Sequence, residues 1–164
     1  MVALPLLFLD VDGPLLPFGD GIAHRGPQHD NPLLSRLDPL HGPWLAALPC
    51  ELVWATTWMD DANELLAPLL GLPRLPVATW PDDPSTEDQD AREGLHWKTR
   101  GLVAHAAGRP FIWVDDELTD KDRDWVHKNH GAKALLHRVN PRHGLTDADY
   151  LELDTWLHKA NSNS

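Results

Sequence analysis

The chain has one cysteine, Cys50, one tyrosine and only three phenylalanines. A single cysteine excludes an internal disulfide framework and fits a reducing cytoplasm, with Cys50 expected as a small buried apolar residue. Basic residues are scarce: 14 Lys plus Arg stand against 25 Asp plus Glu, a formal net charge of -11. That balance disfavours a general nucleic-acid-binding or anionic-membrane surface, while leaving room for a local basic groove. No apolar run is long enough to span a bilayer, and residues 1–9 lack a basic start and a cleavage-site pattern. The ten histidines are scattered, with no HExxH or paired metal spacing, and no repeat is visible. Tryptophan is the exception to this scarcity: there are eight, and most are expected in the core.

What is present is an alternation of two periods. Apolar, β-rich runs at 6–11, 51–55, 75–78, 110–114 and 132–137 read as strands. Between them, residues 60–70 carry apolar positions at helical spacing and stop at Gly71 and Pro73. Further helices are expected over 96–107, from an N-cap at Thr119 to Gly131, and from Thr146 to about Lys159, leaving 161–164 as a frayed tail. Such alternation predicts one α/β domain over 1–160: a doubly wound, Rossmann-like parallel sheet of about five strands with helices on both faces. Two stretches resist this reading. Residues 14–43 are rich in Pro, Gly and His and read as an irregular flap with a short helix near 32–37; residues 80–94 read as a long acidic loop.

The most informative segment is Leu6-Leu7-Phe8-Leu9-Asp10-Val11-Asp12-Gly13. A buried strand that ends on two aspartates must deliver them to a solvent-facing edge, and in open α/β sheets the carboxyl ends of the strands are where ligands bind. Two crowded acids repel unless a cation or a shared proton relieves them, which points to a hard ion such as Mg²⁺. The plain structural alternative is a strand end followed by an Asp-Gly turn. Three further signals follow in order. Leu52-Val53-Trp54-Ala55 ends in Thr56-Thr57; Lys98 opens a helix; Phe111-Ile112-Trp113-Val114 ends in Asp115-Asp116, with Asp120 four residues beyond.

In that order the motifs resemble those of the haloacid dehalogenase-like (HAD) superfamily of phosphotransferases and phosphatases, from Leu6 to Asp120. The resemblance implies an Mg²⁺-dependent phosphatase in which Asp10 is the nucleophile that becomes an aspartyl-phosphate. Asp12 would be the general acid/base and lend its main-chain carbonyl to the metal. Thr56, with Thr57 as fallback, together with Lys98 and Gly13 would hold the phosphate. Asp116 would be a direct metal ligand, Asp115 a water-mediated or outer one, and Asp120 a weaker candidate. Superfamily dehalogenases match only the first aspartate and need no metal, so Asp12 speaks against that activity. Receiver domains of response regulators use similar residues in a different order.

Neither the gap from Gly13 to Thr56 nor that from Thr56 to Lys98 holds a full cap domain, so a minimal-cap protein with an open site is expected. Open sites of this superfamily resemble those that act on macromolecular ends or borrow a cover from a homo-oligomer; hydrolysis of a phosphorylated small molecule is the other expectation. Trp54-Ala55-Thr56-Thr57-Trp58, Asp61-Ala62-Asn63 and Pro141-Arg142-His143-Gly144-Leu145-Thr146 are similar to a lidless branch found in bacterial RNA-repair proteins. That branch implies a nucleotide or nucleic-acid phosphate, gripped by His24, Arg25 or Arg142; from the charge balance and the lack of a spanning run, no membrane partner is expected. The alternative function is a non-catalytic phosphate- or Mg²⁺-binding module on the same fold.

Overall fold

The structure, a computed structural model, describes residues 3–19, 31–80 and 83–162. Four parallel strands, β1 (Leu6–Leu9), β2 (Glu51–Trp54), β3 (Phe111–Asp115) and β4 (Ala134–Arg138), lie in the order β2-β1-β3-β4. Every residue of β1 and β3 is buried, as continuous apolar runs demand when both faces of a sheet are covered. The pleat splits them between two cores. Leu7, Leu9, Ile112 and Val114 pack with α1 (His41–Ala47), α2 (Ala67–Leu70) and α6 (Asp147–Ser162). Leu6, Phe8, Phe111 and Trp113 pack with α4 (Thr99–Ala106) and α5 (Asp120–Asn129). The sheet is thus doubly wound, as the alternation predicts.

Departures from expectation have local causes. The fifth strand is reduced to one bridge between Val77 and Trp54, with Trp54 N–H donating to Pro76 O and Ala78 N–H to Trp54 O. Pro76 has no N–H to extend the ladder. The 60–70 helix enters through a π-turn, Ala62–Leu66, before α2, and stops at Gly71 with φ 69° as anticipated. Residues 14–43 carry a one-turn 3-10 helix, Leu34–Arg36, where the short helix is expected, and the first residues of α1, while the 80–94 segment is not a loop: it holds α3 (Pro84–Glu93). Asp83 caps α3 by accepting from Ser85 N–H, Pro84 sits in its first turn, and buried Asp90 ties it to Arg100 at 2.8 Å. Helix α4 begins three residues later than expected, at Thr99, whereas Thr119 forms the anticipated cap of α5 with Asp122. Residues 161 and 162 continue α6 rather than fraying.

Only Trp54 and Trp113 of the eight tryptophans are buried; Trp44 and Trp97 are exposed and the rest lie between. Cys50 is half-buried, its thiol pushed up to about 12 by burial and then by Glu51, which leaves it chemically quiet. No helix among the described residues is long and apolar enough to cross a membrane.

One contact makes the α1–α2 packing testable. A Cβ on Gly42 would lie 1.8 Å from the Leu70 carbonyl oxygen. Gly42→Ala should therefore push α1 off α2 and cost about 1–3 kcal/mol, read as a lower urea midpoint at unchanged slope. An unchanged midpoint would contradict the packing.

Candidate active site

The register of the two central strands builds the site. Leu9 of β1 pairs with Val114 of β3, and Asp10 N–H donates to Val114 O at 3.1 Å, so both acid pairs leave the sheet side by side. Carboxylate oxygens of Asp10, Asp115 and Asp116, all buried, lie within 4.8 Å of one another. Lys98 reaches into this group: its ammonium is 3.2 Å from Asp10 Oδ1 and 2.8 Å from Asp115 Oδ2. Asp115 also accepts from the Trp113 indole N–H (3.2 Å) and Glu117 N–H (3.0 Å), so both of its oxygens are engaged.

Lys98 is held in place by its neighbours. Asp122, wholly buried, accepts from His96 N–H at 2.7 Å and from the Thr99 hydroxyl at 2.9 Å, while its other oxygen caps α5 through Thr119. Lys98 N–H donates to His96 Nδ1 (3.1 Å), which requires that nitrogen to be unprotonated. Burial lowers the affinity of His96 for a proton, consistent with that role. Asp122 is a site-building residue that sequence reasoning missed. The capping-box spacing from Thr119 was visible, but nothing local shows an aspartate reaching across to another helix.

Electrostatics follow from three clustered acids and one ammonium that pairs with two of them. Burial foremost, and then Asp115 against the opposing pull of Lys98, pushes Asp10 up to about 8. Burial and Asp115 raise Asp116 to about 6. For Lys98 burial acts downward, but Asp10 and Asp115 outweigh it and the net shift is upward, so it stays charged. The excess negative charge is relieved by protons or by a hard divalent cation, and a cluster of carboxylate oxygens fits Mg²⁺.

The remaining expected residues divide. Asp12 is exposed and its carboxylate lies outside the triad; its Oδ2 accepts from the Trp58 indole N–H at 3.2 Å. Gly13 is required: its φ is 99°, and a Cβ there would lie 2.8 Å from Asp116 Cγ. Its N–H is engaged by Leu16 O at 3.0 Å, so that amide does not face a phosphate. Thr56 is buried at the end of β2, its hydroxyl accepting from Trp58 N–H, whereas Thr57 is exposed. Asp120 stands apart on α5, paired with Arg123 at 2.6 Å. The Pro141–Thr146 motif earns a structural role: Leu145 N–H donates to Pro14 O, and Gly144 presses so close that a Cβ would sit 2.8 Å from that same oxygen. Arg142 lies against Gly19; His24 and Arg25 are outside the described residues.

A pH dependence follows. Because Asp10 and Asp116 hold protons more tightly folded than unfolded, the metal-free protein loses stability as pH rises from near the model-peptide carboxylate range towards 8. A divalent cation needs those carboxylates ionised. The rise in Tm produced by Mg²⁺ should therefore grow from pH of about 5.5 to about 8.5, and shrink sharply in Asp116→Ala. Differential scanning fluorimetry checks it; a pH-independent shift would contradict the charge assignment.

The family model described as the HAD domain in Swiss Army Knife RNA repair proteins matches residues 6–150, from the start of β1 into α6, and includes every residue of the site. No curated protein and no solved structure matches the chain. The HAD superfamily is in general one of phosphatase-type hydrolases. With its doubly wound sheet, its ordered acids at the strand ends and Lys98 at the head of α4, the chain belongs to the HAD domain family of Swiss Army Knife RNA repair proteins.

Proposed function

We propose that the chain is an Mg²⁺-dependent phosphatase that hydrolyses a phosphomonoester through an aspartyl-phosphate on Asp10. The observation that carries this reading is the buried Lys98 ammonium shared by Asp10 and Asp115, with Asp116 alongside. A nucleophilic carboxylate and a phosphate are both anionic, and an ammonium at 3.2 Å from Asp10 lowers their repulsion. When bound, Mg²⁺ would neutralise charge shared by carboxylate and phosphate, held by Asp10, Asp116 and the Asp12 carbonyl, with Asp115 outside them or bridged by water.

In the first half-reaction an Asp10 oxygen bonds to phosphorus as the ester P–O bond breaks. The electron pair leaves on the alcohol oxygen, which takes a proton from Asp12. In the second, Asp12 accepts a proton from the attacking water, the Asp10–phosphate bond breaks, and inorganic phosphate leaves with Asp10 restored. Lys98 and the Thr56 hydroxyl stabilise charge on the equatorial phosphate oxygens. Asp115, saturated by three donors, serves chiefly to aim Lys98.

Membership in an RNA-repair family supports a nucleotide or a nucleic-acid end as substrate. The net charge of -11 favours recognition of a terminal phosphate over a long polyanion footprint. The elements between the motifs, α1, the π-turn, α2 and α3, leave the site without a cap domain among the described residues.

Asp10→Asn should abolish Mg²⁺-dependent turnover of p-nitrophenyl phosphate, by roughly 10³-fold or more, while leaving the circular dichroism spectrum unchanged. Turnover surviving in Asp10→Asn would remove Asp10 as nucleophile. A wild type that shows an Mg²⁺ thermal shift but hydrolyses no phosphate ester would instead leave a phosphate- and Mg²⁺-binding module.

A further inference from the structure

We infer that Trp58 is a positioning residue for Asp12, holding its carboxylate where the leaving-group proton is exchanged; the inference rests on the phosphatase reading above. Asp12 is exposed, and an exposed carboxylate on a free side chain samples many rotamers. Here its main chain is pinned by the bridge to Leu16, and its Oδ2 accepts from the Trp58 indole N–H at 3.2 Å. Among the described residues no other side chain donates to it, and no cation pairs with it. Asp12 therefore differs from its neighbours Asp10 and Asp115, which Lys98 holds.

The turn that carries Trp58 is itself tightly specified. Trp58 N–H donates to the Thr56 hydroxyl at 3.2 Å, and Met59 N–H to Thr56 O at 3.2 Å. Met59 has φ 51°, a left-handed conformation that costs a side-chain-bearing residue and persists where its surroundings impose it. The turn couples two parts of the site: the Thr56 hydroxyl, assigned to the phosphate, and the indole that aims Asp12. Trp58 is half-buried, its ring packed against the core, so the indole N–H is presented from a fixed base rather than a mobile side chain.

Trp58 acts through Asp12 and touches no reacting atom, so its removal should be felt where a proton must be delivered. An alkyl phosphate needs that proton because its leaving alkoxide is a poor one; p-nitrophenolate leaves without help. Trp58→Phe, which keeps an aromatic ring and loses the N–H, should lower kcat on glycerol 3-phosphate by about tenfold, with a much smaller loss on p-nitrophenyl phosphate and little change in KM. In the Asp12→Asn background the same substitution should cost nothing further, since the partner it orients is gone as an acid. Trp58→His, which retains a ring N–H, should recover part of the alkyl-ester rate and serves as the test should the Phe variant fold poorly. Equal losses on both esters, or losses that add in the double variant, would overturn the positioning role while leaving the phosphatase reading intact. A wild type active on neither ester would overturn the phosphatase reading, and the role of Trp58 with it.

Discussion

The arrangement at the strand ends depends on one buried ammonium placed among three buried carboxylates. Lys98 is 3 % exposed, Asp115 1 %, and Asp10 and Asp116 7 % each. Removing water from four ionisable groups is tolerable because Lys98 is within ion-pair distance of two of the acids, Asp115 is saturated by further donors, and Asp10 and Asp116 hold protons more tightly than free carboxylates. Withdrawing the ammonium would leave charges uncompensated, at a cost on the order of 3–5 kcal/mol. Much of the fold serves this pairing. The adjacency of β1 and β3 brings the acids together, and Asp122 holds the turn from which Lys98 enters α4.

A second constraint is steric. The turn after β1 must pass close to Asp116, and Gly13 is the residue that permits it, by its φ and by its missing Cβ. On the far side the same turn is gripped by the Asn140–Leu145 loop, where Gly144 lies against Pro14. Arg138, from the end of β4, donates to the Asp116 carbonyl at 3.2 Å. Asp116 is thus backed on one side by a glycine turn and on the other by the exit of the edge strand. The backbone leaves the acids little freedom, which is what a site that must present preset charge requires.

What could be read from the residue order was whatever short-range physics decides. Continuous apolar runs gave β1 and β3 because a strand covered on both faces has no alternation to hide in. Acid pairs closing those runs could be placed at one edge because parallel strands end on the same side. Helix α3 was missed although its signals were in order, an aspartate cap, a proline in the first turn and a terminal glycine; polarity all around the helix masked them. It is held by Asp90–Arg100, a contact ten residues apart that no pattern announces. Long-range side-chain bonds were equally hidden: Asp122 to His96 spans 26 residues and Trp58 to Asp12 spans 46. Tryptophan count was a poor guide to burial, since only two indoles fit entirely inside a sheet of four short strands.

The charge balance also constrains how a phosphate could reach Asp10 under the proposed function. Among the described residues, the one cation at the triad is buried and already shared by two carboxylates, so its field is spent locally and does little to attract an anion from solution. The chain as a whole is at -11, and exposed charges beyond about 8 Å are screened at physiological salt, so long-range steering is repulsive or absent. With Asp10 and Asp116 ionised, a dianionic ester would meet net negative charge; with both protonated, it would meet no nucleophile. The two demands, an ionised Asp10 and a neutralised cluster, are met together only when a divalent cation has replaced the protons. Neutralisation of the triad must therefore precede productive binding of the ester. It follows that affinity for the phosphate and affinity for the cation are linked, each raising the other by the same factor.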